Sequence, residues 1–402
     1  MLARTESRPH YLRPRLTSPF FERSRHLVQT DEFVPWAGYT TADVYSSVEQ
    51  EYFAIRNSAS VFDLTPMVKY RIAGPDAQRY LNRLVTRDVG RLKPGRVAYT
   101  VWCNEAGHVI DDGTIFRFGS DEFRLCTAER QLDWLIDSAI GFDVDIGEVT
   151  EQVAALALQG PTSCSVLKAM GLAGVEKLVP FEIGQFRLGE APLTVSRTGF
   201  TGDLGYELWI DSQQALPLWD RLMEAGRTRG IRAIGYRALD MARIEAGFIL
   251  PNVDFISAAQ TVLLNRETTP LELGLESLVA FDKGHFNGRR ALLAEKARGS
   301  RRRLIGLEIA GKKPAHGSLI YDSRKGERQV GEIKSALWSP TCKRNIALAM
   351  IDAPYFQSLR ECWVDIYLHR ELAWERRMAH AWPVARPFYA PARRKAVPAL
   401  DR

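Results

Sequence analysis

Four short segments concentrate the residue types that do chemistry. Residues 107–112 read Gly-His-Val-Ile-Asp-Asp. Paired carboxylates at the end of a strand can sit beside a cationic or protonated centre, and the same two acids can equally face water. Glu207 stands in the run Tyr206-Glu207-Leu208-Trp209, apolar apart from itself. Such an acid either points outward or accepts hydrogen bonds from a ligand, and alternation alone leaves both open. Just before it, Thr198, Gly199, Thr201, Gly202 and Gly205 make a loop whose glycine density suits close approach by a flat ligand, or simply a tight turn. The other two segments are IRNSASVFDL at 55–64 and GYRALDMARIEAG at 235–247.

Other chemistries find less support. The five cysteines, Cys103, Cys126, Cys164, Cys342 and Cys362, are widely spaced with no CxxC pair, so neither a disulfide framework nor a zinc cage is indicated. The seven histidines show no HExxH spacing, and no catalytic metal is expected. Cys103 reads as a small buried hydrophobe, Asp63 as structural, and Trp102 as either a pocket wall or core filler. Basic residues are scattered without a stacking platform, which argues against nucleic acid. No run approaches the roughly 20 apolar residues that span a bilayer. Reduced thiols, a net charge of +6 and 46% hydrophobic residues fit a soluble protein of a cytoplasm-like compartment with an anionic ligand or acidic partner.

The elements that must position these residues follow from periodicity. A chain of 402 residues exceeds one core, so two or three domains are expected. Gly74-Pro75 opens a helix carrying Ala77, Tyr80, Leu81, Leu84 and Val85 on one face. Residues 97–102 and 108–111, joined by a Gly-containing turn, read as a β-hairpin, with further strands at 115–118 and 123–126. Gln159-Gly160-Pro161 marks a strand-to-helix switch, and Ala215, Leu218, Trp219, Leu222 and Met223 a second amphipathic helix. Past Gly299 the apolar runs shorten to 304–309, 333–336, 346–351 and 363–368, which favours a small all-β domain. Four regions result: an extended arm at 1–30, a body at 31–299 with a break near 150, a barrel-like domain at 300–388 and a polar tail at 389–402. The arm is Arg-rich, as a transit peptide is, but Pro9, Pro14 and Pro19 interrupt any helix there.

Taken together and in order, the segments RNSASVFDLT, VIDD, LQGP, TGFTGDLGYEL, ARIEAG, FNGRRAL, SALWSPTCKRNIALAMI and ARPFY resemble the glycine cleavage T-protein (aminomethyltransferase) family over residues 50–390. The resemblance implies an α+β fold of three domains in a cloverleaf, a folate-binding α/β body with a C-terminal β-barrel, and tetrahydrofolate in a central channel. It implies Asp111 as the catalytic acid near N5 of the pterin and Glu207 as the acceptor of the pterin 2-amino group and N3–H. A carboxylate suits two parallel donors because it has two acceptor oxygens. Tyr206 and Phe200 are expected as flat walls for the ring, Arg243 and Arg386 as basic residues for the cofactor, and Trp102 and Tyr236 in the donor pocket. No step needs a metal, since the protein holds donor carbon and N5 in line.

The chain departs from a true T-protein at Ala238-Leu239-Asp240, where an arginine is expected at the middle position, and at 248–254, which reads Phe-Ile-Leu-Pro-Asn-Val-Asp beside the donor site. Both departures resemble paralogues that move a methyl group from an O-, N- or S-methylated small molecule to N5 of tetrahydrofolate. That demethylase-type methyltransferase is the expected activity. The alternative is glycine cleavage aminomethyl transfer, with an acidic lipoyl carrier as partner. A third reading is the folate half of a flavin-linked sarcosine or dimethylglycine oxidising complex, although no GxGxxG occurs. An iron–sulfur assembly role is disfavoured because Lys283-Gly284-His285 lacks the cysteine of that group.

Overall fold

The computed structural model describes residues 15–262 and 266–398. Most of the expected arm lies outside the described residues, as does any targeting segment within 1–14. What is described of it is packed rather than extended. Leu16 bridges to Tyr39, Phe21–Ser24 form a helical turn, and Phe20 is fully buried in the core.

Two sheets and a barrel make the molecule. The first sheet has the strand order Ile183–Leu188, Ala191–Ser196, Gly205–Asp211, Val153–Gln159, Ala59–Asp63, Ile231–Ala233. Only the last pair is parallel. The second sheet runs Arg96–Cys103, Val109–Arg117, Glu122–Thr127, Val68–Ala73, Asp145–Glu148, antiparallel throughout. The body therefore does not divide at a single break near 150. The second sheet, residues 68–148, is an insertion, and the first sheet draws strands from both sides of it. Alternation along each strand is the same before and after the insertion, so periodicity could not show which strands pair.

Each sheet has two used faces. Leu156, Leu158, Tyr206 and Leu208 pack under the helices Ser163–Ala169 and Ala215–Gly226, while Ile72, Ile115 and Leu125 pack under Ala77–Leu84. The remaining faces meet each other: Phe62, Ala157 and Trp209 of the first sheet join Val97, Phe116 and Cys126 of the second. Trp209 and Phe116 touch edge to face at 5.2 Å. Burying a large apolar side chain is worth roughly 1.5–3 kcal/mol, so this shared layer holds the two sheets in register.

Six strands, Arg302–Ile309, Leu319–Tyr321, Gln329–Ser339, Arg344–Asp352, Cys362–Arg370 and Ala373–Val384, close into a barrel. The apolar runs anticipated four of these; Leu319–Tyr321 is too short and Ala373–Val384 too polar to read as strands. The expected polar tail is also docked. Val397 is buried, and Arg393 donates to Asp203 and to the carbonyl of Arg56.

Candidate active site between the two sheets

Along Gly205–Asp211 the side chains alternate. Tyr206 and Leu208 enter the helix-side core, while Glu207 and Trp209 face the second sheet. Glu207 accepts Thr198 Oγ1 at 2.6 Å and Ser196 Oγ at 3.4 Å, both on Oε2. Ser196 is itself held by Trp209 Nε1 at 3.2 Å. Among the described residues no protein donor reaches Oε1, so one edge of the carboxylate is left for another partner. Burial pushes Glu207 up to about 7, opposed by the two hydroxyls. Tyr206, expected as a ring wall, is fully buried on the opposite face, and the structure does not bring it to Glu207.

The glycine-rich loop has a different cause from the one its composition suggested. Gln159 donates from Nε2 to the carbonyls of Thr198 and Tyr206 and accepts from Thr201 Oγ1. A Cβ at Gly199 or Gly205 would lie 2.0 or 2.1 Å from its amide oxygen. Gln159, not a flat ligand, requires those glycines, and by pinning both ends of the loop it fixes where Glu207 starts.

On the second sheet a bulge decides which acid faces the layer. Trp102 pairs with Asp111 and Cys103 with Val109, so Ile110 is the extra residue. Beyond it Asp111 shares a face with Trp102 and Ile115, and Asp112 shares the opposite face with Tyr99, Thr114 and Phe116. Asp111 is enclosed behind the strand, accepting Gln131 Nε2 at 3.4 Å and the N–H of Asp112 at 2.8 Å. Burial first and Asp112 second hold it well above the carboxylate range. Asp112 instead looks toward the wall carrying Glu207 and accepts Tyr99 Oη at 2.5 Å; burial lifts it to about 6. The geometry thus turns Asp112, and not Asp111, toward the wall that carries Glu207. Strict alternation through 109–112 could not reveal this, because the bulge inverts it. Trp102 is wholly buried on the side of Asp111, in the core that includes Tyr70 and Ile110.

The motif helix Tyr236–Glu245 joins both walls to the barrel. It starts at Gly235, where a Cβ would meet the Asp43 carbonyl at 2.2 Å. Arg243 is buried, and its donors go to Asp240 at 2.8 Å, Asp254, the Phe248 carbonyl at 3.1 Å and Ser335 at 2.9 Å. Expected at the cofactor, it clamps the 248–254 loop to the barrel instead. Glu245 is bound by Tyr52 at 2.5 Å, by Ser339 and by Arg56 at 2.6 Å. Tyr236 lies one turn before Asp240 and is partly exposed on that face. Phe200 stacks on Phe248 at 5.5 Å and 18°. Arg386 donates to the carbonyls of Leu304 at 3.1 Å and Leu273 at 3.4 Å, at the seam between this helix and the barrel.

Family profiles agree with this architecture. The GCVT N-terminal domain matches residues 23–283, and the glycine cleavage T-protein C-terminal barrel domain matches residues 302–389. The chain belongs to the glycine cleavage T-protein family. An aminomethyltransferase of Thermoanaerobacter pseudethanolicus is 32% identical over 332 residues, 81% of this chain and 87% of that protein. A trimethylamine-oxide aldolase of Ruegeria pomeroyi is 34% identical over 360 residues, 86% of this chain but 44% of the longer relative. The solved glycine cleavage system aminomethyltransferase T of Bartonella henselae superposes with a TM-score of 0.81 over 94% of this chain and 99% of its own, at 24% identity, and so shares the fold.

As a T-protein family member, the chain is an enzyme that transfers one-carbon groups with tetrahydrofolate. The residues present fit that group. Glu207 offers an open carboxylate oxygen beside one already held by hydroxyls, which suits an edge of parallel N–H donors. Thr114 and Cys126, paired across the second sheet, supply a small-residue surface next to Asp112 and near Glu207. Among the described residues no group of three or more His, Cys, Asp or Glu side chains is placed to hold a metal ion, and no helix is long and apolar enough to cross a membrane.

Proposed function

We propose that this enzyme moves a methyl group from an O-, N- or S-methylated small molecule to N5 of tetrahydrofolate. Glu207 orients the pterin through its 2-amino and N3–H edge, and Asp112 receives the proton that N5 sheds. The observation that carries this reading is a pair of carboxylates on facing walls with no Lys, Arg or His paired to either among the described residues. Both sit near neutrality: a base poised at about 6 can take a proton at pH 7 and return it to water. Phe200 and Phe248 supply an aromatic stack at the barrel side, where Arg386 is available to the carboxylate tail of a folate. Tyr236 and the 248–254 loop bound the donor side.

Methyl transfer is preferred over aminomethyl transfer because Leu239 replaces the expected arginine and the 248–254 loop differs beside the donor site. The relatives named aminomethyltransferase keep the second reading in view, with an acidic lipoyl carrier as the partner. Incubating the enzyme with tetrahydrofolate and a panel of methylated metabolites tests both. Accumulation of 5-methyltetrahydrofolate is the expected result. Formation of 5,10-methylenetetrahydrofolate from an aminomethyl-lipoyl carrier, with no methylated product, would replace it by the second.

A further inference from the structure

The last two barrel strands outrun their neighbours. Cys362–Arg370 pairs with Ala373–Val384 from Cys362 opposite Ala381 to Arg370 opposite Ala373. Leu319–Tyr321 covers the outer side of the first strand only at Trp363 and Val364. Arg302–Ile309 covers the outer side of the second only from Ala381 to Val384. Residues 365–379 therefore run on as a ribbon of two strands. Two strands alone are marginal in water, and an uncovered edge is a template for another strand.

The two edges of the ribbon differ. On the first strand, Asp365 accepts the N–H of Leu319 at 2.8 Å, and the carbonyl of Tyr367 accepts Lys313 Nζ at 2.5 Å. A lysine laid across an edge blocks further pairing. On the second strand, the carbonyl of His380 points outward to the N–H of Ala310. Alternation then turns the N–H and C=O of Trp374, Arg376 and Met378 outward as well. Among the described residues no strand pairs with them on that side. Trp374 is 68% exposed, and Leu372 at the turn is fully exposed.

The side chains along this open edge select a partner. A copy of the same edge, running antiparallel, can be set in few registers, because outward groups must meet outward groups. Centring the pair on Glu375 opposes two acids, and centring it on Arg377 opposes two guanidinium groups. Centring it on Arg376 sets Glu375 opposite Arg377 and Trp374 opposite Met378, each twice. Glu375 accepts Arg377 at 2.7 Å within one strand, so the four charges alternate around a ring. Met378 brings a thioether to the indole. The two Arg376 side chains meet at the axis, but each is turned to its own protomer, 5.0 Å over the Tyr321 ring and 3.6 Å from Asp365.

We infer that the edge of residues 373–379 joins a second copy of this chain about a two-fold axis at Arg376. Both protomers use the same patch, as closed dimers do. The interface stands apart from the pterin site and does not depend on the reaction catalysed.

Sedimentation velocity of the full chain over about 1–100 µM provides the test, since the mass of a dimer depends on concentration. A dimer is expected. Arg377→Glu sets two acids opposite each other twice and is expected to weaken association about tenfold or more. Adding Glu375→Arg to it restores opposite charges in the same register and is expected to recover the dimer, which separates lost pairing from lost folding. Arg376→Pro removes an outward N–H at the axis and is expected to leave a monomer. A wild-type chain that stays monomeric throughout would overturn the inference, whatever else the edge binds. So would a dimer that Arg377→Glu leaves unchanged, or a charge-swapped chain as weakly associated as Arg377→Glu alone.

Discussion

The helix Tyr236–Glu245 and the strands bearing Asp112 and Glu207 are equally dense in family motif residues, but their charges are treated in opposite ways. On the helix, Arg243 and Glu245 are enclosed and bonded on nearly every side, to the 248–254 loop, to Tyr52 and Arg56, and to the barrel. On the strands, Asp112 and Glu207 have hydroxyl partners and, among the described residues, no cation. Buried charges that satisfy each other hold parts together; buried charges left without a counter-ion are available for a ligand. The same degree of motif likeness thus marks scaffold in one place and chemistry in the other.

The largest effect should come from separating the adjacent acids. Asp112→Asn is expected to lower turnover about 10²–10⁴-fold, the usual worth of a positioned acid or base, with an unchanged melting temperature. Asp111→Asn, on the strand face turned away from Glu207, should lower it less than about tenfold. Steady-state kinetics that ranked the two in reverse would break the assignment. On the scaffold side, Arg56→Met removes the cationic partner of Glu245 and one of the two arginines on Asp203. Breaking a buried pair in this way costs about 3–5 kcal/mol, readable by denaturant unfolding.

Glu207→Gln is expected to weaken tetrahydrofolate binding by about 2–3 kcal/mol, because a neutral amide presents a donor where the pterin also donates. Its stability should hold or rise slightly. The smallest effect is the pH dependence of that same site. Glu207 is raised to about 7, so the folded state holds a proton that the unfolded chain has lost. Stability therefore falls as pH climbs from the ordinary glutamate value toward 7. Cofactor binding runs the other way: it needs the carboxylate, so affinity should improve by up to about tenfold per pH unit below 7 and level off above. Glu207→Gln should flatten both curves.

Much of the scaffold was legible because helices and strands print their periods on the chain. The helix Ala77–Leu84, the hairpin of Arg96–Cys103 with Val109–Arg117, and four barrel strands lie where the apolar spacing put them. Glu207 stood out as a lone acid in an apolar strand, but alternation left its facing open, and the hydroxyls of Ser196 and Thr198 show where it points. The neighbouring departures from expectation share one origin, which is that a local pattern does not fix a three-dimensional facing. A single extra residue at Ile110 turns Asp112, where strict alternation from Val109 would turn Asp111, toward the other sheet. Alternation carries Tyr206 away from Glu207. Gly199 and Gly205 answer to Gln159, some 40 residues earlier, and Arg243 answers to Asp254 and Ser335. Tyr99 was missed altogether; its place on the hairpin opposite Thr114 was the available signal.

The inserted second sheet also has a bearing on how the chain is made. Ala59–Asp63 must wait for Gln159 and its neighbours, and then for Ile231–Ala233, whose parallel pairing joins Ile231 to Ala59. Contacts that distant in sequence form slowly. While the ribosome works through the insertion, an apolar strand emerges early and stays unmatched, exposed to pairing with the wrong partner. A nascent chain halted before residue 231 would keep that edge open.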